Sequence, residues 1–274
     1  MKARLWQRDS RFAVKAFVVW SVFYFVLVSA WMAILPYGAG GFGNFVDYQG
    51  TAMVLIVGLV TLWTGLSLRN RERVAWSLMG LGSISWGLGM VIWAYYRNVL
   101  GVDLPFPSLA DAGYLMFVPL MFAGLVLLPA GEMAPEERLK IGLDAFIAMA
   151  AVGAVSWFFL LGPIYSKVES SLLEKIVGLA YPAGDLILVA ALMGGMARGW
   201  LRMRSPTLMA LMVGVVAFIV ADVAFAWFTL QGSFSSSNPL ALGWPLGLFL
   251  IAYAALRRKA DGPNYVLRRG EWPE

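Results

Sequence analysis

The 274-residue sequence contains neither cysteine nor histidine. Without cysteine, the chain forms no disulfide bond, no thiolate metal site and no iron–sulfur cluster. Without histidine, it lacks the usual axial ligands of b-type haem and the imidazole groups that commonly relay protons. The only lysine within a long apolar run is Lys15, at the edge of the first run. The sequence therefore also lacks the mid-membrane lysine that a retinal Schiff base requires.

Charged residues are scarce as well. They make up 14% of the chain, hydrophobic residues make up 60%, and the mean hydropathy is +0.74. A typical soluble domain is about 25% charged and about 45–50% apolar, so a soluble protein of this composition could not cover its surface with polar groups. The composition excludes an ordinary soluble globular enzyme and indicates an integral membrane protein.

Eight long apolar runs are separated by short polar segments, and each run has roughly the 20 residues that a membrane-spanning helix needs. Helix is the expected form because it satisfies its own backbone hydrogen bonds in lipid. We therefore predict an all-α polytopic membrane protein, a bundle of eight transmembrane helices. The predicted spans are 12–35, 48–68, 75–96, 109–129, 141–162, 176–196, 207–230 and 239–256. They form one transmembrane domain, 1–256, followed by a short basic tail, 257–274.

The distribution of basic residues tests this topology independently. If the N-terminus is cytoplasmic, the outer loops hold only Arg97, Lys167 and Lys175, and all other Lys and Arg residues lie on the inner side. This is the bias described by the positive-inside rule. It predicts a multi-pass protein of a bacterial plasma membrane with both termini in the cytoplasm. The first apolar run is longer than the 7–15 residues of a signal-peptide core, so we expect an uncleaved anchor.

Two further patterns concern helix packing. In three hairpins, a helix that ends in aromatic residues is followed by a helix with an internal proline: Pro119, Pro182 or Pro245. Duplication of a hairpin would explain this, and so would the aromatic belt at a membrane surface; both explanations stay open. Small residues four apart in the third and fifth spans predict close helix packing. These pairs are Ser83 and Gly87, Ser85 and Gly89, and Ala150 and Ala154.

Four aspartates lie within the predicted spans: Asp111, Asp144, Asp185 and Asp222. A charged side chain inside a membrane is costly, so it usually has a partner or a function. Asp144 follows Lys140 at the cytoplasmic edge, where it is expected to be a helix-start charge that the helix dipole favours. Asp111 follows Ser108 at the outer start of the fourth span, where the two residues could form a capping box.

Asp185 and Asp222 are less easily explained by local structure. Asp185 lies about 15 Å into the membrane at 1.5 Å per residue, and Tyr181 shares its helix face. No Lys or Arg is available in the spans to neutralise either acid, so each needs a hydroxyl, a backbone amide, water, a shared proton or a ligand. A structural role and a functional role both remain open. In the functional case, Asp111, Asp185 and Asp222 would line one outward-facing polar cavity. Its walls would be aromatic residues of the outer belt, namely Tyr95, Tyr96, Tyr114 and Trp227.

Two motifs carry a resemblance to a known group of proteins. One is the run from Pro105 to Leu125, which contains Ser-x-Ala-Asp-x-x-Tyr, and the other is Tyr181-Pro-Ala-Gly-Asp-Leu, with a later Ala-Asp pair at 221–222. They resemble the multi-spanning N-terminal membrane sensor modules of bacterial GGDEF/EAL signalling proteins, over roughly residues 75–256. The resemblance implies ligand-binding roles for the matching positions: Asp111, Tyr114, Tyr181, Asp185 and Asp222. No GGDEF, EAL, PAS or kinase motif follows the last predicted span, so we expect signalling through a partner protein.

Three functions are consistent with these observations. The first is a sensory or ligand-binding module that binds a small cationic or amphipathic molecule and signals to a partner protein. The second is a proton-coupled secondary transporter that uses Asp185 and Asp222 as protonation sites. The third is a non-catalytic subunit of a larger membrane complex that holds other proteins, lipids or pigments. We expect neither an enzyme nor a cofactor, metal or nucleic-acid site, because the sequence shows no nucleophile with an attendant base and no phosphate-binding loop.

Overall fold

The computed structural model describes residues 2–34, 42–102, 104–129, 134–166, 171–200, 205–233 and 239–262, and helices account for nearly all of them. The helices are α1 (Lys2–Ile34), α2 (Phe42–Leu66), α3 (Asn70–Tyr95), α4 (Leu109–Leu127), α5 (Pro135–Ser156), the short α6 (Gly162–Tyr165), α7 (Leu172–Ala197), α8 (Pro206–Leu230) and α9 (Gly243–Asp261). A π-helical turn follows α3 (Tyr96–Leu100), another joins α5 to α6 (Trp157–Leu161), and a 3₁₀ turn precedes α9 (Pro239–Leu242).

Within the described ranges, seven helices are long and apolar enough to cross a membrane, which confirms the prediction of an all-α, multi-pass membrane protein. Their spans are Ser10–Ile34, Asp47–Leu66, Asn70–Leu100, Leu109–Leu127, Pro135–Leu161, Leu172–Ala197 and Pro206–Leu230. The eighth predicted span corresponds to α9, which has 19 residues and ends in charged residues. The exact number of crossings therefore stays a prediction, and so does the duplication of a hairpin.

Serine residues define the start of three helices. The side chain of Ser108 caps α4, that of Ser171 caps α7, and that of Ser205 caps α8 with Pro206 at the first helical position. Each serine oxygen accepts a hydrogen bond from a free backbone N–H of the first turn. At α7 the cap is reciprocal, because Glu174 Oε2 accepts a 2.7 Å hydrogen bond from the N–H of Ser171. The loop-to-helix boundaries thus follow from local hydrogen bonding.

Contacts at the helix ends show that the long helices alternate in direction. At one end, the start of α3 meets the end of α9, where Arg258 Nε donates a 2.8 Å hydrogen bond to Glu72 Oε1. At the other end, the residues after α3 meet the start of α2, where Asn98 Nδ2 donates to Asp47 Oδ2 at 3.1 Å. We call the first the basic end, since Arg198 also lies there, and the second the acidic end.

Six helices form a closed ring in the order α9, α2, α3, α4, α7 and α8, while α1 packs on α9 and α5 packs on α7. Aromatic side chains fill the middle of the ring. Trp86 of α3 lies 4.7 Å from Phe218 of α8, ring centre to ring centre, and Phe117 of α4 stacks on Phe218 at 4.3 Å. These three side chains are buried and form the centre of the core.

The small residues of α3 allow α4 to approach closely, as the sequence predicts. Ser85 Oγ donates a 2.8 Å hydrogen bond to the carbonyl of Gly113. A Cβ atom placed on Gly89 would lie 2.8 Å from the carbonyl oxygen of Ala110. The predicted pair in the fifth span behaves differently, because Ala150 and Ala154 are exposed on α5. Within the described part of the chain, these two alanines therefore do not pack closely against another helix.

The last helix extends five residues beyond the predicted span end at 256 and includes the start of the predicted polar tail. Arg258 and Lys259 are buried there, at 5% and 8% exposure. The Arg258 guanidinium is held by Glu72 of α3 and by the carbonyl of Gly262 at 2.7 Å. The tail prediction did not foresee this ion pair, which binds the end of α9 to α3. Residues 263–274 of the predicted tail lie outside the described residues.

Candidate functional site

Asp111 links two helices at the acidic end. Its Oδ2 accepts a 2.6 Å hydrogen bond from the N–H of Ser108, and Ser108 Oγ accepts one from the N–H of Ala110 at 3.2 Å, which confirms the predicted capping box. Its other oxygen, Oδ1, accepts a 2.6 Å hydrogen bond from the hydroxyl of Tyr181 on α7. The same carboxylate therefore completes the cap of α4 and attaches α7 to it.

Asp185 of α7 and Asp222 of α8 form an acidic pair. Their carboxyl groups lie within hydrogen-bonding distance of each other. Asp222 Oδ1 also accepts a 2.6 Å hydrogen bond from Trp244 Nε1 at the start of α9. Asp185 is 6% exposed and Asp222 is half-buried. Neither acid makes an ion pair with a basic side chain among the described residues.

Tyr114 lies close to Asp111. It is three residues after Asp111 on α4, and its ring centre is 4.6 Å from that of Trp86. Its ring also lies against Gly89, where a side chain would collide with it. The hydroxyl is close enough to Asp111 and Asp47 to interact electrostatically with both.

Asp47 is a further acid of this end that the sequence analysis did not single out. It stands at the start of the second span, its side chain is 4% exposed, and its Oδ2 lies 3.7 Å from Arg97 Nε. Asn98 also donates to this oxygen. Asp47 is therefore paired with Arg97, in contrast to the Asp185–Asp222 pair.

A cavity of about 350 Å³ lies between α5, α7 and α8, and among the described residues Asp185 is its only acidic lining residue. The other lining residues are mostly apolar: Val152, Val155, Ser156, Phe159, Leu160, Pro182, Leu186, Val189, Ile219, Val223 and Trp227. The rings of Phe159 and Trp227 meet across it at 5.6 Å. The cavity thus presents one carboxyl group on an apolar and aromatic surface.

Of the three predicted carboxylates, Asp185 is the one that lines this cavity, and a polar cavity lined by all three stays a prediction. Tyr181, which was predicted to share a helix face with Asp185, donates its hydroxyl hydrogen bond to Asp111. Of the predicted aromatic walls, Trp227 lines the cavity. Tyr95 is 49% exposed with its ring against that of Tyr96.

Within the parts of the chain that the structure describes, no three acidic side chains converge in a way that could hold a metal ion.

The most informative residue that the sequence analysis missed is Trp244. An indole N–H is a donor only, so a tryptophan inside a membrane is a natural partner for an acid that has no cation. The signal was present in the sequence, because the eighth predicted span contains this donor next to Pro245. What was missing was the pairing of α8 with α9, which a single sequence does not reveal.

Side chains at the end of α7 attach this helix to α4 at the basic end. The guanidinium of Arg198 donates to the carbonyl oxygens of Leu125 at 3.0 Å and Val126 at 2.7 Å. Trp200 Nε1 donates to the carbonyl of Pro129 at 3.0 Å. Burial, and to a lesser degree the nearby Arg71, lower the pKa of Arg198. Helix α7 is thus hydrogen-bonded to α4 one turn before Asp185, through Tyr181, and again at its C-terminal end, through Arg198.

The chain matches no protein-family model, no curated protein and no solved structure. The resemblance to bacterial sensor modules therefore stays a prediction.

Proposed function

We propose that this protein is a membrane sensory module that binds a small lipophilic cation in the cavity between α5, α7 and α8 and signals through a partner protein. The observation that supports this proposal is the position of Asp185. Its carboxyl group lines an otherwise mostly apolar cavity, and no basic side chain of the described residues pairs with it.

The chemistry of the cavity favours a ligand with an apolar body and a positive charge. A buried acid without a cationic partner is costly in a membrane, and a bound cation would offset part of that cost. Phe159 and Trp227 can contribute cation–π attraction, which is about 0.5–2 kcal/mol per contact. The apolar lining residues would cover the body of the ligand. A cavity of about 350 Å³ is at the small end of the range of about 300–1,000 Å³ for small-molecule sites.

The proposed signal passes along α7. This helix carries Asp185 in its middle and Arg198 at its end, where the guanidinium contacts the carbonyl groups that end α4. A ligand that binds one arrangement of α7 better than another would shift the population of arrangements. Because α7 and α4 are hydrogen-bonded together, such a shift would change the surface of the basic end.

We also propose the orientation given by the positive-inside rule, with the basic end at the cytoplasmic face of a bacterial plasma membrane and the acidic end outside. In this orientation the cavity opens in the outer half of the bilayer, and the partner signalling protein would bind at the cytoplasmic face. The resemblance to sensor modules of GGDEF/EAL proteins is consistent with the same arrangement.

The test compares three amphiphiles that share an eight-carbon chain: octyltrimethylammonium, octanol and octanesulfonate. Isothermal titration calorimetry is performed on the protein in lipid nanodiscs, with empty nanodiscs as the reference for partitioning into lipid. We expect saturable binding of octyltrimethylammonium at least about tenfold tighter than that of the other two, a difference of about 1.4 kcal/mol. Asp185→Asn should abolish this preference.

Asp144→Asn is the matched control, because it removes an exposed acid from α5 without touching the cavity. It should bind octyltrimethylammonium as the unmodified protein does. Equal binding of all three amphiphiles, or unchanged binding by Asp185→Asn, would overturn the proposal.

A flux measurement separates the sensor from the transporter. Proteoliposomes are loaded with buffer and supplied with radiolabelled octyltrimethylammonium, and a sensor binds the cation without accumulating it. Accumulation that Asp185→Asn abolishes would favour the proton-coupled transporter instead. Stable co-purification with other membrane subunits, without cation binding, would favour the non-catalytic subunit.

A further inference from the structure

We propose that a cation entering the cavity displaces the proton shared by Asp185 and Asp222, so that binding releases one proton. This inference rests on the proposed function, because it concerns the same cavity. It adds a defined chemical consequence, which is that the module responds to the ratio of a lipophilic cation to protons and not to the cation alone.

The hydrogen bonds around the pair favour one of the two acids as the site of the proton. Ionised carboxyl groups only accept hydrogen bonds, so two carboxyl groups within hydrogen-bonding distance need one proton between them. Asp222 already accepts a 2.6 Å hydrogen bond from the indole N–H of Trp244, which cannot itself accept. This hydrogen bond stabilises the ionised form of Asp222, so the proposal places the proton on Asp185, which donates it to Asp222.

The other groups around the pair do not supply a competing charge. On α7 the nearest ionisable group is Tyr181, whose hydroxyl is bound to Asp111 of α4. Helix α8 contributes Asp222 itself, and α9 contributes the neutral Trp244. The residues of α5 that line the cavity carry no ionisable group. Since no basic side chain of the described ranges pairs with Asp185, the proposal assigns the positive charge at this carboxyl group to a proton or to a ligand.

The two occupants compete for the same carboxyl group. In the free protein, the O–H bond of Asp185 points to Asp222 and the pair carries one negative charge. When a quaternary ammonium ion sits beside Asp185 in the cavity, that O–H bond breaks and the proton is released to water, while both carboxylates remain and face one cation. The net charge of the site stays the same, which avoids leaving either an extra positive or an extra negative charge in the membrane.

The experiment measures protons directly. Octyltrimethylammonium is titrated into the protein in nanodiscs by calorimetry, at one pH, in a series of buffers with different ionisation enthalpies. The dependence of the binding enthalpy on the buffer gives the number of protons released. We expect a value near one, and an affinity that rises about tenfold for each unit of pH while Asp185 is protonated in the free protein.

Asp222→Asn provides a sharp contrast to Asp185→Asn. The amide introduced at position 222 can donate a hydrogen bond to Asp185, which would then be ionised before the cation arrives. This variant should still bind the cation, but without proton release and with an affinity independent of pH. Asp185→Asn should lose binding at every pH. The proton count of the unmodified protein needs no variant, so it remains decisive even if one substitution impairs folding.

The outcomes distinguish the two proposals. Saturable binding with no proton release and no pH dependence would overturn this inference and leave the cation-binding function intact. The absence of binding at any pH would overturn the proposed function, and the exchange of cation for proton with it.

Discussion

The hydroxyl of Tyr181 on α7 donates a 2.6 Å hydrogen bond to Oδ1 of Asp111, the acid that completes the cap of α4. This contact joins residues that are 70 positions apart in the chain and holds α7 against α4 one turn before Asp185. The C-terminal end of α7 is held by Arg198, which donates to carbonyl groups of α4. A helix attached to α4 on both sides of Asp185 is a suitable element to carry a change from the cavity to the basic end.

Tyr181→Phe should destabilise the protein without removing its aromatic packing. The substitution deletes one donor to a buried carboxylate, and hydrogen bonds to charged groups contribute about 1.5–3 kcal/mol. The measurement is the thermal unfolding of the purified protein in detergent, followed by tryptophan fluorescence. Tyr165→Phe is the matched control, because Tyr165 is 62% exposed and the same atom is removed. An equal melting temperature for the two variants would contradict the importance of this contact.

Glu72→Gln should be among the more destabilising substitutions at the basic end. It leaves the buried Arg258 without its acidic partner, and breaking a buried ion pair costs about 3–5 kcal/mol. The double variant Glu72→Gln with Arg258→Met should recover part of this loss, because no unpaired charge then remains. Chemical unfolding of the single and double variants measures the difference. Glu136→Gln, at an exposed position of α5, serves as the control and should be neutral.

Gly89→Ala should weaken the contact between α3 and α4. The added Cβ atom would lie 2.8 Å from the carbonyl oxygen of Ala110 and 2.8 Å from the ring of Tyr114, so the helices would have to separate. Overpacking of this kind costs about 1–3 kcal/mol. Gly142→Ala is the matched control, because nothing lies within 4 Å of its added atom. That control should be neutral or stabilising by up to about 1 kcal/mol, since alanine favours helix over glycine. Thermal unfolding of both variants provides the comparison.

Trp244→Phe should reduce the affinity for octyltrimethylammonium. Phenylalanine keeps an aromatic ring but lacks the N–H that donates to Asp222 at 2.6 Å. Without this donor, the ionised form of Asp222 would be less stable. The pair would then hold the shared proton more strongly, which favours the proton over the cation. We expect affinity to fall several-fold at neutral pH and to recover as pH rises, as measured by calorimetry in nanodiscs. Trp157→Phe, at a position that is 60% exposed on the π-helical turn, should bind the cation normally. Identical binding by the two variants would exclude a role for the indole donor.

The sequence by itself determined the properties that depend on composition and on near neighbours. The apolar runs predict helices long enough to cross a membrane, because lipid requires each segment to satisfy its own backbone hydrogen bonds. The capping box of Ser108 and Asp111 was predictable because its partners are three residues apart. The close approach of α3 to α4 followed from small residues at helical spacing.

Only the tertiary structure decided how the acids are paired. Helical spacing placed Tyr181 and Asp185 on one face and suggested that they act together, but their polar groups bind Asp111 and Asp222 on two different helices. The donor to Asp222 comes from Trp244, on the following helix. These pairings depend on the order of helices around the ring. Within lipid that order is set by packing and by hydrogen bonds between helices, which are long-range contacts that the local pattern of the chain does not encode.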